Sequence, residues 1–401
     1  MILKKTIFIF LTFIIFILCT GFSLYVAELI LILNADKSQV AEINFDEVRS
    51  NINKKNLNNE DKFYPYLSSC NYLYGGITND HINLANELDI YPLTLKKNSN
   101  IIWSNEGEEW SEFKSDRYGF RNIDSVWDKQ SAHFFFGDSY SHSAHVSEVN
   151  AIHSKILNQK INVINMGGGC WAPPEYYAIK KEMIDGLKKK IIPKPLTLNL
   201  LYYLGNDYTH PINEYDQKTL SKYFLEDQFN QDIFSKKYSN KIKILYELGL
   251  DNISDNKNKN FISLSQVLMR PFKLINIRMI FKNIFYKRDI NMNLYGEFVD
   301  HQNDNFKKIK KFIIKDLKIS QEICVKYKCK VNVFALPTYK DFFNLNENKK
   351  RPSYYFEEFL KELSIEYDFK FISMYNEFNK TEYEKIKLFP NGKIGHYSIY
   401  G

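Results

Sequence analysis

The sequence predicts an α/β protein built on a five-stranded parallel sheet with helices on both faces. Three observations carry that expectation. Five short apolar or β-branched runs, at 133–136, 161–165, 196–204, 330–336 and 369–374, have the length and composition of buried strands. Stretches of helical period separate them, the alternation of βαβ units. Several of the runs stop at Gly, Asn, Asp or Pro, which punctuate strand ends, and right-handed crossovers would bring those ends to a common edge.

Composition sets the frame for these elements. At 401 residues, with 44% hydrophobic and 16% aromatic side chains, the chain can bury a large core and does not read as disordered. Its 54 Lys and Arg against 47 Asp and Glu leave a net charge of +7, spread over many lysines. That is no nucleic-acid footprint, and none is expected as a partner. Five cysteines include no C-x-x-C pair, so no metal site is expected; no cofactor is expected either. Cys19 lies in an apolar leader; outside the cytoplasm a Cys324–Cys329 or a Cys70–Cys170 disulfide is open, and spacing does not choose.

Taken in order, residues 1–34 read as a transmembrane anchor. From Thr6 to Val26 there are 21 residues without charge, enough to cross a hydrocarbon core of about 30 Å. Lys4 and Lys5 keep the short end in the cytoplasm and send the chain beyond Asp36 to the far side. A cleaved signal peptide is the alternative, but the run exceeds a usual apolar signal segment and no A-x-A-like site comes after it. Residues 35–128 form a lead-in with short strands at Tyr91–Leu95 and Ile101–Trp103, parted by the turn-forming Lys97-Asn98-Ser99-Asn100. It ends in a Gly-centred turn, Asp116-Arg117-Tyr118-Gly119-Phe120-Arg121-Asn122.

The main domain, 129–401, opens with the strand His133–Phe136, which stops at Gly137-Asp138-Ser139. A helix is expected from about Val146 to Leu157, then the strand Ile161–Asn165 running into Gly167-Gly168-Gly169. Another helix starts near Pro173, suited to a first helical turn, and continues to about Lys190. Leu196–Leu204 is the third strand, halted by Gly205-Asn206-Asp207. A helical insertion occupies about 208–300. Within it Arg270–Arg288 interleaves basic and apolar residues, either on an anionic membrane surface or as a core-facing helix with a solvated basic edge. The helices Asn305–Tyr327 and Ser353–Tyr367 each precede one of the last two strands.

Strand ends in open α/β sheets collect ligands, and here they present chemical groups. Ser139 comes after the first strand, the glycine run after the second, and Asn206 after the third. His396 lies in the late stretch Gly395-His396-Tyr397-Ser398. Ester cleavage by a serine needs a base for the hydroxyl proton and donors for the developing oxyanion, and these positions supply both.

At these blocks the chain resembles the SGNH (GDSL-type) hydrolases. Gly137-Asp138-Ser139 matches the family's G-D-S block, Asn165 to Gly169 its glycine block, Leu204-Gly205-Asn206-Asp207 its asparagine block, and Gly395 to Ser398 its histidine block. The resemblance covers about Asp116 to Gly401 outside the insertion, and it implies a three-layer α/β/α, flavodoxin-like fold. It makes Ser139 the nucleophile and His396 the general base, with the oxyanion held by Ser139, Gly169 and Asn206, and Gly167 as the alternative glycine. Many members carry Asp three residues before the histidine. Here that residue is Lys393, so a backbone carbonyl or a distant carboxylate must orient His396, or the base is weakened. The fold normally adds a closing helix beyond this point, so an exposed final strand is expected.

His142 and His145 are expected on a helix surface or in a pocket lining, Cys170 as a small buried filler, and Trp171 and Tyr176 either in the core or walling a cleft. Two functions are compatible with this reading. One is a membrane-anchored serine esterase or O-acyltransferase facing outward and acting on an acylated small molecule or cell-envelope glycan. The other is a silent envelope scaffold or glycan-binding protein that keeps the fold.

Overall fold

A computed structural model describes residues 45–59, 61–67, 79–103, 106, 109–207, 218–255, 304–343, 351, 353–393 and 395–401, with parts of 12–30. Residues 40–255 and 294–401 form one compact unit, and residues 1–39 with 256–293 form another. In the second unit residues 19–27 are helical. Among the described residues no helix is long and apolar enough to cross a membrane; most of Thr6–Val26, and all of Arg270–Arg288, lie outside them.

The lead-in contributes α1 (Phe45–Asn58), β1 (Phe63–Pro65), α2 (Asn79–Glu87), β2 (Asn100–Ile102) and β3 (Glu112–Lys114). Its small sheet has the order β1-β2-β3, parallel then antiparallel. Tyr91–Leu95 is not a strand. Its backbone donors go to Gln231 Oε1 (from Tyr91, 2.6 Å), Tyr238 Oη (from Leu93, 2.8 Å) and Gly119 O (from Leu95, 2.7 Å), leaving no ladder to join. Gly119 has φ +87°, and a Cβ there would sit 2.2 Å from Leu95 O, so glycine is what lets this turn close.

The main sheet comprises β4 (Ser131–Gly137), β5 (Val163–Asn165), β6 (Lys194–Tyr203), β7 (Lys330–Leu336) and β8 (Lys370–Ser373), all parallel in the order β5-β4-β6-β7-β8. The helices between and after them are α3 (Ile152–Leu157), α4 (Pro173–Lys188), α5 (Lys218–Leu225), α6 (Lys236–Asp255), α7 (Asp304–Tyr327), α8 (Tyr339–Phe343), α9 (Tyr354–Glu366) and α10 (Met374–Lys380). The expected five strands and their parallel pairing are therefore present.

Side-chain periodicity explains the layers. Phe306, Ile309, Ile313, Leu317 and Cys324 recur at helical spacing on α7 and are buried, as are Tyr176, Ile179, Met183 and Leu187 on α4. Between these helices Lys180 pairs with Asp316 at 2.7 Å, both wholly buried, and Tyr202 Oη of β6 donates to the same carboxylate at 2.6 Å. On the opposite face Phe135, Leu201, Phe334 and Leu336 meet Met374 of α10 and Tyr397. β8 is an edge strand, with Lys370 exposed and its other residues half-buried. Lead-in and main sheet share one core, in which Trp103, Phe113 and Phe120 join Phe134 and Phe136.

In this strand order the direction of winding reverses between β4 and β6, so a crevice opens beyond their carboxyl ends. Ser139 lies just past β4 and Asn206 just past β6.

Candidate active site

Ser139 stands at a tight corner. Asp138 Oδ1 accepts from Tyr140 N at 2.9 Å, Asp138 O accepts from His142 N at 3.0 Å, and Ser139 O accepts from Ala144 N at 2.9 Å. Gly137 is needed for close approach: a Cβ would lie 2.7 Å from Leu201 O on β6. Among the described residues no acceptor meets the Ser139 N–H, so it is available to a ligand.

His396 arrives from the far end of the chain and meets the serine. The Ser139 hydroxyl donates to Nε2 at 2.6 Å. On the other side of the ring Nδ1–H donates to Glu106 Oε1 at 2.6 Å, and the His396 backbone N–H donates to Glu106 Oε2 at 3.0 Å. Aromatic residues hold the loop in place. Tyr140 lies 4.8 Å from the His396 ring, stacks on Tyr203 at 3.8 Å and donates from its hydroxyl to Gly395 O at 3.0 Å, while Tyr397 Oη donates to Pro337 O at 2.6 Å. The partner of the imidazole is thus a carboxylate from between β2 and β3. Lys393, where many relatives of the resembled family carry Asp, is exposed.

Charge is set by this geometry. Burial alone would raise the Glu106 carboxyl, but the imidazoles of His145 and His396 and the hydrogen bonds from His396 outweigh it and hold it down to about 2. Burial alone would lower His396; Glu106, by its charge and its hydrogen bond, with a smaller contribution from the charge of Asp138, raises it above the ordinary histidine value. His145 stays buried and is pushed down to about 3, so it is neutral at working pH.

The other expected donors fare differently. Asn206 is half-buried in the turn after β6, which Asp207 fixes by accepting from Tyr203 N and from Tyr176 Oη, each at 2.8 Å. Gly169 does not serve as expected: its N–H donates to Tyr66 Oη at 2.6 Å. The N–H of Gly167 goes to Asn165 Oδ1 at 2.9 Å and that of Gly168 to Gly137 O at 3.1 Å. Packing explains the glycine run. A Cβ would come within 1.8 Å of Ser141 Oγ at Gly167, 2.3 Å of Trp171 at Gly168 and 2.3 Å of Trp103 at Gly169. Trp171 and Tyr176 are both core residues.

Three more expectations resolve differently. Of the two alternatives for His142 and His145, the helix surface is not met: both are buried in turns, His142 lining a small pocket and edge-on to Tyr66, Trp103 and Phe113. Cys170 is disulfide-bonded rather than a free filler, and its φ is +60°. Cys324 and Cys329 form a disulfide, settling that pairing.

Sequence reasoning missed Glu106, whose neighbours Glu108 and Glu109 look equivalent by spacing. The Gly-centred turn expected at Asp116–Asn122 is present, and it does more than reverse the chain. In fact Arg121 is fully buried and donates to His142 O (3.2 Å), Ser143 O (2.7 Å), Val146 O (2.9 Å) and Ser111 Oγ (3.2 Å), and it pairs with Glu148 at 2.9 Å. These bonds keep the carbonyls of 142–146 out of a helix, so α3 begins only at Ile152. Asn122 bridges to Asn165 O at 3.0 Å, tying the same turn to the end of β5. Arg121→Met should lower unfolding free energy by about 3–5 kcal/mol, because it leaves the carbonyls of His142, Ser143 and Val146 without their donor, while the half-buried Glu148 keeps His153 and Ser154. Denaturant unfolding of the full-length chain checks this.

Compared with family models, curated proteins and solved structures, the chain matches none. Among the described residues, Glu106, His145 and His396 offer ligand atoms within 4.8 Å of one another and form the group that could hold a metal. However, Glu106 Oε1 and His396 Nδ1 stand at hydrogen-bond distance, closer than the roughly 3.3 Å between neighbouring ligands on a tetrahedral zinc with bonds of about 2.0–2.1 Å. A serine, an imidazole and a carboxylate in series can instead pass a proton from hydroxyl to ring and stabilise the resulting imidazolium. An apolar cavity of about 280 Å³, lined by Phe135, Leu201, Phe334, Leu336 and Met374, lies beside His396.

Proposed function

We propose that this protein is a serine esterase or O-acyltransferase of SGNH type, working through an acyl-enzyme on Ser139. The observation that carries the proposal is the unbroken series Ser139–His396–Glu106, with both links at 2.6 Å. His396 Nε2 takes the Oγ proton as Oγ bonds to the ester carbonyl carbon. Ser139 N–H and Asn206 are the donors we assign to the oxyanion. When the tetrahedral intermediate collapses, Nε2 returns the proton to the leaving oxygen. Water or an acceptor hydroxyl, deprotonated by the same nitrogen, then attacks the acyl carbon, and as the C–Oγ bond breaks Nε2 returns that proton to Ser139 Oγ.

Two features bear on where and on what the enzyme acts. The uncharged stretch Thr6–Val26 supports anchoring to a membrane with the amino terminus cytoplasmic. The Cys324–Cys329 disulfide supports an oxidising compartment for the rest. Acylated glycans of the cell envelope are then the substrates we favour, with the apolar cavity beside His396 suited to an acyl group.

A silent scaffold is the second reading, favoured by one observation: the glycine N–H groups are all engaged and Ser139 is only 4% exposed. A fluorophosphonate probe on the full-length protein separates the two. The esterase reading expects one adduct, located by mass spectrometry on Ser139. No adduct, or one on another residue only, supports the scaffold.

A further inference from the structure

We propose that His145 is a positioning residue which holds the Glu106 carboxylate against His396, and that the buried Arg121 clamp exists to deliver it. The proposal rests on the Ser139–His396–Glu106 reading and adds a fourth member to it.

The starting point is local backbone conformation. Between Tyr140 and Val146 two residues that are not glycine, Ser143 (φ 58°) and His145 (φ 62°), adopt the left-handed region. Such conformations are uncommon for L side chains and persist where the surroundings over-determine them. Here they do: Arg121 grips the carbonyls of His142, Ser143 and Val146 on both sides of His145, and Ser143 Oγ accepts from Ile152 N at 2.9 Å. The effect is to turn the His145 ring inward. It lies 5.1 Å from Trp103 and 4.5 Å from the His396 ring, and its Nε2 is 3.4 Å from Glu106 Oε1, the oxygen that also takes the His396 proton.

Glu106 needs such a neighbour. It lies in a loop, itself at φ 41°, and among the described residues its carboxylate is met by His396 and His145 alone. Neutrality makes His145 suited to the task. A second cation beside Glu106 would cancel the charge that His396 relies on, whereas a neutral imidazole whose Nε2 stands 3.4 Å away, outside hydrogen-bond geometry, steers the carboxylate by packing and by its N–H dipole without competing for it.

The test uses the full-length chain with His145→Leu and His145→Gln, each in the parent and in a Glu106→Gln background. Gln keeps an N–H at similar reach; Leu keeps bulk without it. In the parent background His145→Leu should lower kcat for a p-nitrophenyl ester by about 10²-fold, the cost of a catalytic group displaced by roughly 1 Å, with KM little changed. His145→Gln should recover most of the loss, and in the Glu106→Gln background His145→Leu should cost almost nothing more. Equal losses in both backgrounds, or no recovery by Gln, overturn the proposal, since a merely structural role predicts both. The low-field proton resonance of His396 Nδ1–H gives a readout independent of turnover. It should shift or vanish in His145→Leu and remain in His145→Gln; no change in either overturns the proposal even if the parent hydrolyses no ester, an outcome that would separately sink the esterase reading.

Discussion

Ser139→Ala should reduce ester turnover by about 10⁶-fold, leaving only what binding and the oxyanion donors contribute. The order of the groups explains the size of the expected loss. Without Oγ there is no acyl-enzyme, and the imidazole has nothing to deprotonate except water in an unprepared position. The variant is also a clean one. The corner at Ser139 is held by backbone contacts and by the Asp138 carboxylate, namely Tyr140 N to Oδ1, His142 N to Asp138 O and Ala144 N to Ser139 O. None of them uses the hydroxyl. His396 keeps both of its bonds to Glu106, so the loop at 395–397 has no reason to move. Hydrolysis of p-nitrophenyl acetate by parent and variant, with equal melting behaviour as control, gives the answer. Equal rates would mean that Ser139 is not the nucleophile, and the series of side chains would then be structural.

How much of this was legible in the sequence depended on whether the signal was local. β7 and α7 run almost where periodicity put them, because each is long and carries its own pattern of buried side chains. Ser139 and His396 were legible because each sits in a short block of residues that reads as a local motif. Tyr91–Leu95 failed because an apolar run states that it will be buried, not whether a strand lies beside it. The glycine run misled for a related reason: a missing Cβ lets a ligand approach, but it equally lets Trp103 and Trp171 approach, and composition does not tell the two apart. Glu106 was illegible for a stronger reason. It reaches His396 across 290 positions of sequence, from a loop in which neighbouring glutamates have the same chemistry, and only the packing of the lead-in onto the main sheet selects it. Arg121 belongs with it, since the carbonyls it satisfies are chosen by the fold of 142–146 and not by any pattern in their side chains.

That dependence on the lead-in makes the second large prediction the more discriminating one. Glu106→Gln should lower kcat by about 10⁴-fold, the order expected when the carboxylate behind a catalytic imidazole becomes an amide. Two effects combine. The amide can offer N–H where Nδ1–H needs an acceptor, so the ring can settle in the tautomer that carries its proton on Nε2, the atom that must be bare to accept from Oγ. In addition, the imidazolium formed during attack loses its counter-charge in a buried site. The pH profile separates these effects from simple damage. Activity requires neutral His396, so kcat/KM in the parent rises with pH through a histidine value that Glu106 holds above the ordinary one. With the carboxylate gone, burial acts with only the weaker pull of Asp138 against it, and the rising limb should move to lower pH. The defect of the variant is then largest on the neutral plateau and shrinks toward acid, where the parent loses its base first. Glu106 itself, held down to about 2, stays ionised across that range and contributes no limb of its own. A profile that merely scales down, with the limb unmoved, would show that Glu106 supports the loop and does not set the basicity of His396.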